Sequence, residues 1–362
     1  MIDQLVEPST NTDSELPDAT PDALASVHTE SFPALLNSLG ISVAVSTYQA
    51  GRLVFLREDH GVLNTHFRLF RRPMGVAVHS GQLWVGTACE VWEFHNSRQI
   101  AASIEPEGKH DGCYMPRHIH ITGDIAIHEM AYGRGELWIV NTRFSCLCTL
   151  DHYHSFVPRW QPPFITELAS EDRCHLNGLA MKDGAPAFVT VLGQTNAARG
   201  WRENKRDGGA VLSVPSGEVV VERLAMPHSP RWHNGKLWLL ESGTGSLGTI
   251  DTERGVYEPI VHLPGFTRGL DLIGPYAFVG LSQVRESATF SGLPITEQED
   301  RSSGVWVVDI NRGEVVGFLR FDGSVQEIFA MQILSNCKNP ELVIDDNPLM
   351  ANAFVLPDAA NI

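Results

Sequence analysis

The sequence predicts an all-β chain folded as a six-bladed β-propeller, and three observations predict it. The element Gly-x-Leu-Trp occurs at Gly81–Trp84, Gly135–Trp138 and Gly235–Trp238, at intervals of 54 and 100 residues. The second interval is about twice a period of ~50, and degenerate copies fall where that period places them, at 184–188 and 274–278. Each copy follows a strand start carrying small residues and a hydrophobic pair. Aligning those starts on Met74, His128, Asn177, His228, Arg268 and Glu327 gives spacings of 54, 49, 51, 40 and 59. The sixth start, at Gln326, has no Gly-x-Leu-Trp strand after it, whereas residues 43–56 repeat the pattern of 137–150. N-terminal strands are therefore expected to complete the last blade, which closes the ring and protects both edges. One period through the chain argues against two β-sandwich domains.

Along the chain, residues 1–30 hold seven carboxylates and no Lys or Arg, with Ser, Thr and Pro throughout. Such a segment buries too little apolar surface to offset its ordering entropy, so it reads as a disordered acidic tail. Phe32, Leu35, Leu36 and Leu39 then recur at helical spacing after Ser31, with Gly40 as a stop. From Ile41 the chain becomes short β-branched and aromatic runs separated by Gly, Asp, Asn and Pro. The propeller is expected over 31–345 and a C-terminal tail over 346–362.

Composition narrows the function. Against 43 Asp and Glu stand 27 Lys and Arg, a net charge of −16, which cannot supply the basic groove of a nucleic-acid binder. No run of about 18 apolar residues exists to cross a membrane. The N-terminus has neither the basic nor the apolar region of a signal peptide, and six scattered cysteines fit a reduced compartment, so a cytoplasmic address is expected. Cys146 and Cys148 alternate on a strand without a CxxC partner and read as buried thiols. No phosphate-binding loop, dinucleotide fingerprint, Gly-x-Ser-x-Gly elbow or His-Glu-x-x-His helix is found.

In a propeller the innermost strands begin at one mouth of the central channel, so the six aligned starts converge although 40–59 residues separate them. Two imidazoles and a carboxylate, His128, His228 and Glu327, are ligands for a borderline divalent ion. His175 and Asn177 stand beside them as further candidate ligands. Iron or zinc suits such a set better than calcium, which prefers oxygen. Loops between second and third strands add Tyr48, Glu90, Arg143, Gln194, Asn196, Glu241 and Arg285. Two of these loops, 194–209 and 283–304, are long enough to act as lids or substrate walls. Trp201, Arg202, Lys205 and Arg206 on the first form a cationic and aromatic spot suited to an anionic group. Arg268 and Arg143 are the candidate anion holders, and Tyr48 or Glu241 the candidate proton carriers. His118 and His120 share a face of an outer strand at a metal-like spacing, and His152 and His154 follow Asp151 in a turn; both pairs read as surface or packing residues.

The run Ser46-Thr-Tyr-Gln-Ala-Gly51, with Arg71-Arg-Pro-Met-Gly75 and His175-Leu-Asn-Gly178, resembles an uncharacterised bacterial family of conserved-hypothetical six-bladed propellers. That likeness covers about residues 32–345 and implies the fold. The pattern is more distantly similar to the gluconolactonase and regucalcin group and to the propeller of peptidyl-hydroxyglycine lyase, where channel-mouth residues bind a metal. The lactonase likeness implies carboxylate and Asn ligands, which Glu327 and Asn177 match. His128 and His228 depart toward the imidazole ligation of the lyase. The expected function is a metal-dependent hydrolase, lyase or iron oxygenase acting on a small anionic molecule or a peptide side chain. The alternative is a non-catalytic propeller that holds a peptide or partner protein on its top face, marked by an exposed apolar patch at the mouth.

Overall fold

The computed structural model describes residues 24–284, 290–344 and 348–356. Its strands form six sheets arranged as a six-bladed propeller, with the four main strands of each blade antiparallel. The first blade runs Ala330–Ser335, Ile41–Thr47, Arg52–Asp59, Val62–Leu69 from the axis outward. Its innermost strand comes from the end of the chain and pairs with Ile41–Thr47 in a register running from Ile41 opposite Ser335 to Ser46 opposite Ala330. The closure expected from the orphan start at Gln326 is therefore the one formed.

The other five blades begin with Val76–His79, Ile127–Gly133, Leu176–Lys182, Pro227–His233 and Phe266–Ile273. The recurring Gly-x-Leu-Trp has a local cause. Four of the five first-to-second-strand hairpins turn on two left-handed residues: Ser80 and Gly81, Arg134 and Gly135, Asp183 and Gly184, Asn234 and Gly235. This is the two-residue turn whose twist matches that of paired strands, and Gly takes its second position without a Cβ clash. The Leu and Trp after it open the second strand, where Leu83, Trp84, Leu237 and Trp238 are buried between blades.

The helix Ser31–Leu39 ends on Gly40 at φ 66°, a left-handed stop. It buries Phe32 and Leu36 against Val54, Leu56 and Phe278, sealing the seam between the last blade and the first.

Two edges carry short extra strands. Ser26–His28 pairs antiparallel with Glu314–Phe321, so ordered structure begins inside the 1–30 segment assigned to the acidic tail. Backbone pairing to an open sheet edge needs no apolar side chain, which is why composition did not mark it. Residues 1–23 lie outside the described residues. At the other end Pro340–Leu342 runs parallel to Gly112–Ile121. Beyond it Leu349 and Ala353, from the expected C-terminal tail, pack on Ile100, Ala101 and Met115. No helix among the described residues is long and apolar enough to cross a membrane.

Candidate functional site at the channel mouth

The starts of the inner strands and the loops between second and third strands enclose a cavity of about 310 Å³. Its walls include Tyr48, His128, Arg143, His175, His228, Arg268 and Glu327, and both long loops reach it, through Trp201 and Arg202 and through Phe290. These residues come from several blades and meet because the inner strands start, and the second strands end, at the same mouth.

The backbone sets the imidazoles. Ala126 and Met226 are both left-handed, at φ 52° and 49°, and each turns its carbonyl toward the histidine two residues on. His128 Nδ1 donates to Ala126 O at 2.9 Å, and His228 Nδ1 to Met226 O at 2.9 Å, with Ser242 Oγ also at 2.9 Å. A carbonyl only accepts, so the proton sits on Nδ1 and Nε2 is left as an acceptor. Burial, with the positive charge of Arg268 and the neighbouring imidazoles, holds both histidines well below the usual histidine range. They are neutral bases at pH 7.

His175 is set differently. Its Nδ1 lies 2.9 Å from Asp172 Oδ1, and Asp172 Oδ2 also accepts Trp201 Nε1–H at 3.0 Å. The Trp201 and His175 rings are 4.4 Å apart, and His175 meets His128 edge-on at 4.7 Å. Asp172 thus fixes the His175 ring and the loop tryptophan together. Asp172 and His175 are themselves left-handed, at φ 49° and 50°, a conformation disfavoured for non-glycine residues and common at functional positions.

Arg268 is the dominant charge. Its guanidinium carbon lies 3.4 Å from the Phe329 ring centre and Nη1 lies 3.6 Å from Glu327 Oε1. Burial lowers its pKa to about 10, against the pull of Glu327 and Glu129; burial likewise raises the Glu327 carboxyl, against Arg268. Among the described residues Arg268 Nη2 has no hydrogen-bond partner. Arg143 and Arg72 share Asp124, at 2.9 and 3.1 Å, which offsets part of their charge. Arg231 and Glu129 pair through contacts of 2.9 and 3.2 Å. They come from non-adjacent blades, so this pair crosses the channel itself.

Two expected site residues are elsewhere. Asn177 is buried, donating to Pro227 O at 3.1 Å and accepting from Thr190 Oγ1; it ties two blades together and lines no part of the cavity. Glu241 is equally committed, accepting Ala225 N–H at 3.0 Å and Thr244 Oγ1 at 2.8 Å. Lys205 and Arg206 are also outside the cavity wall, and Arg285 lies outside the described residues. His128, His228 and Glu327 share the cavity, yet no three of its His, Asp and Glu ligand atoms lie within 4.8 Å of one another among the described residues; the group that does is Glu93, His95 and His118. With Glu327 beside Arg268, the carboxylate faces a guanidinium, so His128, His228 and Glu327 are not gathered as a three-residue ligand set.

Residues missed in the sequence are Arg72, Asp124, Asp172 and Phe329. Phe329 follows Glu327 by two and lines the same cavity. Asp172, three before His175, carries no spacing signal of its own.

A model of a domain of unknown function, DUF4915, matches residues 30–343. The chain belongs to that family. The match spans the propeller from the first helix to the parallel edge strand, so the DUF4915 domain and the closed ring are the same unit. No curated protein sequence matches the chain. Among solved structures, a chain of the nidogen/laminin complex is similar at 7% identity and a TM-score of 0.54, covering 82% of this chain and 99% of that one. A protein of unknown function from Bacteroides caccae is similar at 11% identity and a TM-score of 0.51, covering 81% and 98%. At such identities the DUF4915 chain shares their fold, and function has to be argued from its own site.

Proposed function

We propose that this DUF4915 protein binds a small anionic organic molecule in the channel-mouth cavity and acts on it by acid–base chemistry, as a hydrolase or lyase. The observation that carries the reading is Arg268, a largely buried guanidinium whose Nη2 has no partner among the described residues, on a small cavity walled by neutral imidazoles. A buried donor without a partner is costly, and a carboxylate or similar anion is the group that would satisfy it, two oxygens against the guanidinium fork. Trp201, Phe266, Phe290 and Phe329 offer apolar walls for the rest of the molecule. His128 and His228 are acceptors through Nε2, and His175, oriented by Asp172, is the base best placed to take a proton and return it. Tyr48 is a hydroxyl donor at the same wall.

The test is thermal unfolding and calorimetric titration with acetate, benzoate and succinate. The wild type is expected to be stabilised by at least one of these, and Arg268→Gln to lose the effect. No stabilisation by any of them, or equal stabilisation of the variant, overturns the reading.

A divalent ion is a second reading, favoured by one observation: both Nδ1 atoms are locked on carbonyls, the outer-shell arrangement of metal-binding histidines. Iron or zinc would be held by His128 and His228, with Glu327 only after it leaves Arg268. Metal analysis of purified protein tests it, since His128→Ala and His228→Ala should then release a stoichiometric ion.

None of the exposed large apolar side chains among the described residues lines the cavity.

A further inference from the structure

A second constellation lies far out on the blade that begins with Val76–His79. Its third strand, Glu90–Asn96, places Glu93 and His95 on one face, because residues two apart on a strand point the same way. The fourth strand, Gly112–Ile121, sets His118 directly opposite Glu93, and the second strand, Gln82–Gly86, sets Gln82 opposite His95. Cross-strand neighbours have Cβ atoms about 5 Å apart, so the register alone gathers two imidazoles and a carboxylate. His95 Nε2 is 2.6 Å from Glu93 Oε1, and His118 Nδ1 is 3.4 Å from Glu93 Oε2.

We propose that Glu93, His95 and His118 form a binding site for a borderline divalent ion of the zinc type. One ligand atom from each lies within 4.8 Å of the other two. Tetrahedral zinc with ligands at about 2.0–2.1 Å needs donor atoms roughly 3.3 Å apart, which rotamer adjustment of the half-exposed His95 and exposed His118 supplies. Two imidazoles with one carboxylate select zinc, copper or nickel over calcium or magnesium. The outer shell is also in place, since Gln82 Nε2 donates to Glu93 Oε1 at 3.0 Å and holds the carboxylate toward the imidazoles. Without the ion, the His95 ring donates its Nε2–H to Glu93; with it, the neutral ring carries its proton on Nδ1 instead, exchanged through solvent, and Nε2 becomes a ligand. The remaining coordination position faces a groove of about 380 Å³ shared with His120, His152 and Tyr132 of the same and the next blade, open to water or an added ligand. None of these residues lines the channel-mouth cavity. An ion here would clip the third strand to the fourth.

The experiment is titration of the chelator-treated full chain with Zn²⁺ by calorimetry and with Co²⁺ by visible absorption. One ion per chain is expected, with the ligand-field bands of nitrogen and oxygen coordination. His118→Ala and His95→Ala should each weaken binding by at least about 100-fold, and Gln82→Ala by roughly 10-fold. The double variant His128→Ala/His228→Ala should bind as the wild type does. No uptake by the wild type, unchanged binding in His95→Ala and His118→Ala, or loss of binding only in the His128/His228 double variant overturns the proposal. All these side chains except His128 and His228 are at the surface, and far-ultraviolet circular dichroism identifies any variant that fails to fold.

Discussion

Arg268 stacks over Phe329 at 3.4 Å while holding Glu327 at 3.6 Å, so a single guanidinium is shared between an aromatic face, a carboxylate and an empty direction. The aromatic face and the carboxylate each offset part of its charge, and neither satisfies Nη2. That incomplete satisfaction is the feature an anionic ligand would exploit.

Removing the carboxylate should therefore raise anion affinity. Glu327→Gln leaves Arg268 with its full charge toward the cavity, and benzoate or another accepted carboxylate should bind about 10-fold more tightly, since even a shielded charge at this distance is worth more than 1 kcal/mol. Calorimetric titration of the variant beside the wild type measures it; weaker binding would show that Glu327 orients Arg268 instead of competing with its ligand.

Stability should fall on mild acidification. In the folded state His128 and His228 have pKa values well below the ordinary 6.5, so below that pH the unfolded chain takes up protons that the native chain refuses. Their contribution is complete above about pH 6.5 and is lost as pH falls toward the folded values, at about 1.4 kcal/mol per pH unit for each histidine. His66, also lowered by burial though opposed by Glu341, acts in the same direction. Urea unfolding at pH 7 and pH 5.5 should show this loss, and His228→Gln should reduce its slope by about one proton.

Blade packing is tight where inner strands pass each other. A Cβ at Gly133 would stand 2.3 Å from the Gly184 carbonyl oxygen, a backbone atom of the next blade. Gly133→Ala should cost about 1–3 kcal/mol by overpacking. At Gly135 a Cβ meets open space at φ 84°, so Gly135→Ala should cost only about 1 kcal/mol, from left-handed strain. Urea midpoints of the two variants distinguish the causes, and the reverse order would contradict the packing described.

The first helix should be a structural plug. Phe32 is fully buried between the last blade and the first, and Phe32→Ala should cost about 3–5 kcal/mol. Because it acts at the ring closure, the loss should appear as a lower unfolding midpoint with unchanged carboxylate binding in the surviving native protein.

The repeat made the fold legible, because each Gly-x-Leu-Trp marks a turn whose conformation depends on two adjacent residues and little else. The same alignment placed His128, His228, Arg268 and Glu327 at one mouth, since equivalent strand starts of a closed ring face the same opening. It could not separate those from Asn177, which holds an equivalent position and spends its amide on Pro227 of the neighbouring blade. Glu241 likewise had the right place in its unit, and its carboxylate was taken by a local turn.

The sequence by itself determined the six units, the closure through Ile41–Thr47, the anionic mean charge and the candidates ringed around the channel. Tertiary structure alone decided which polar groups come together: Asp172 turning toward both His175 and Trp201, Arg268 short of one partner among the described residues, and, far out on another blade, Glu93 beside His95 and His118. Turn and strand preferences act over a few neighbouring residues and are written in order along the chain. Hydrogen-bond satisfaction and charge depend on distances between blades, and those exist only once the ring has closed.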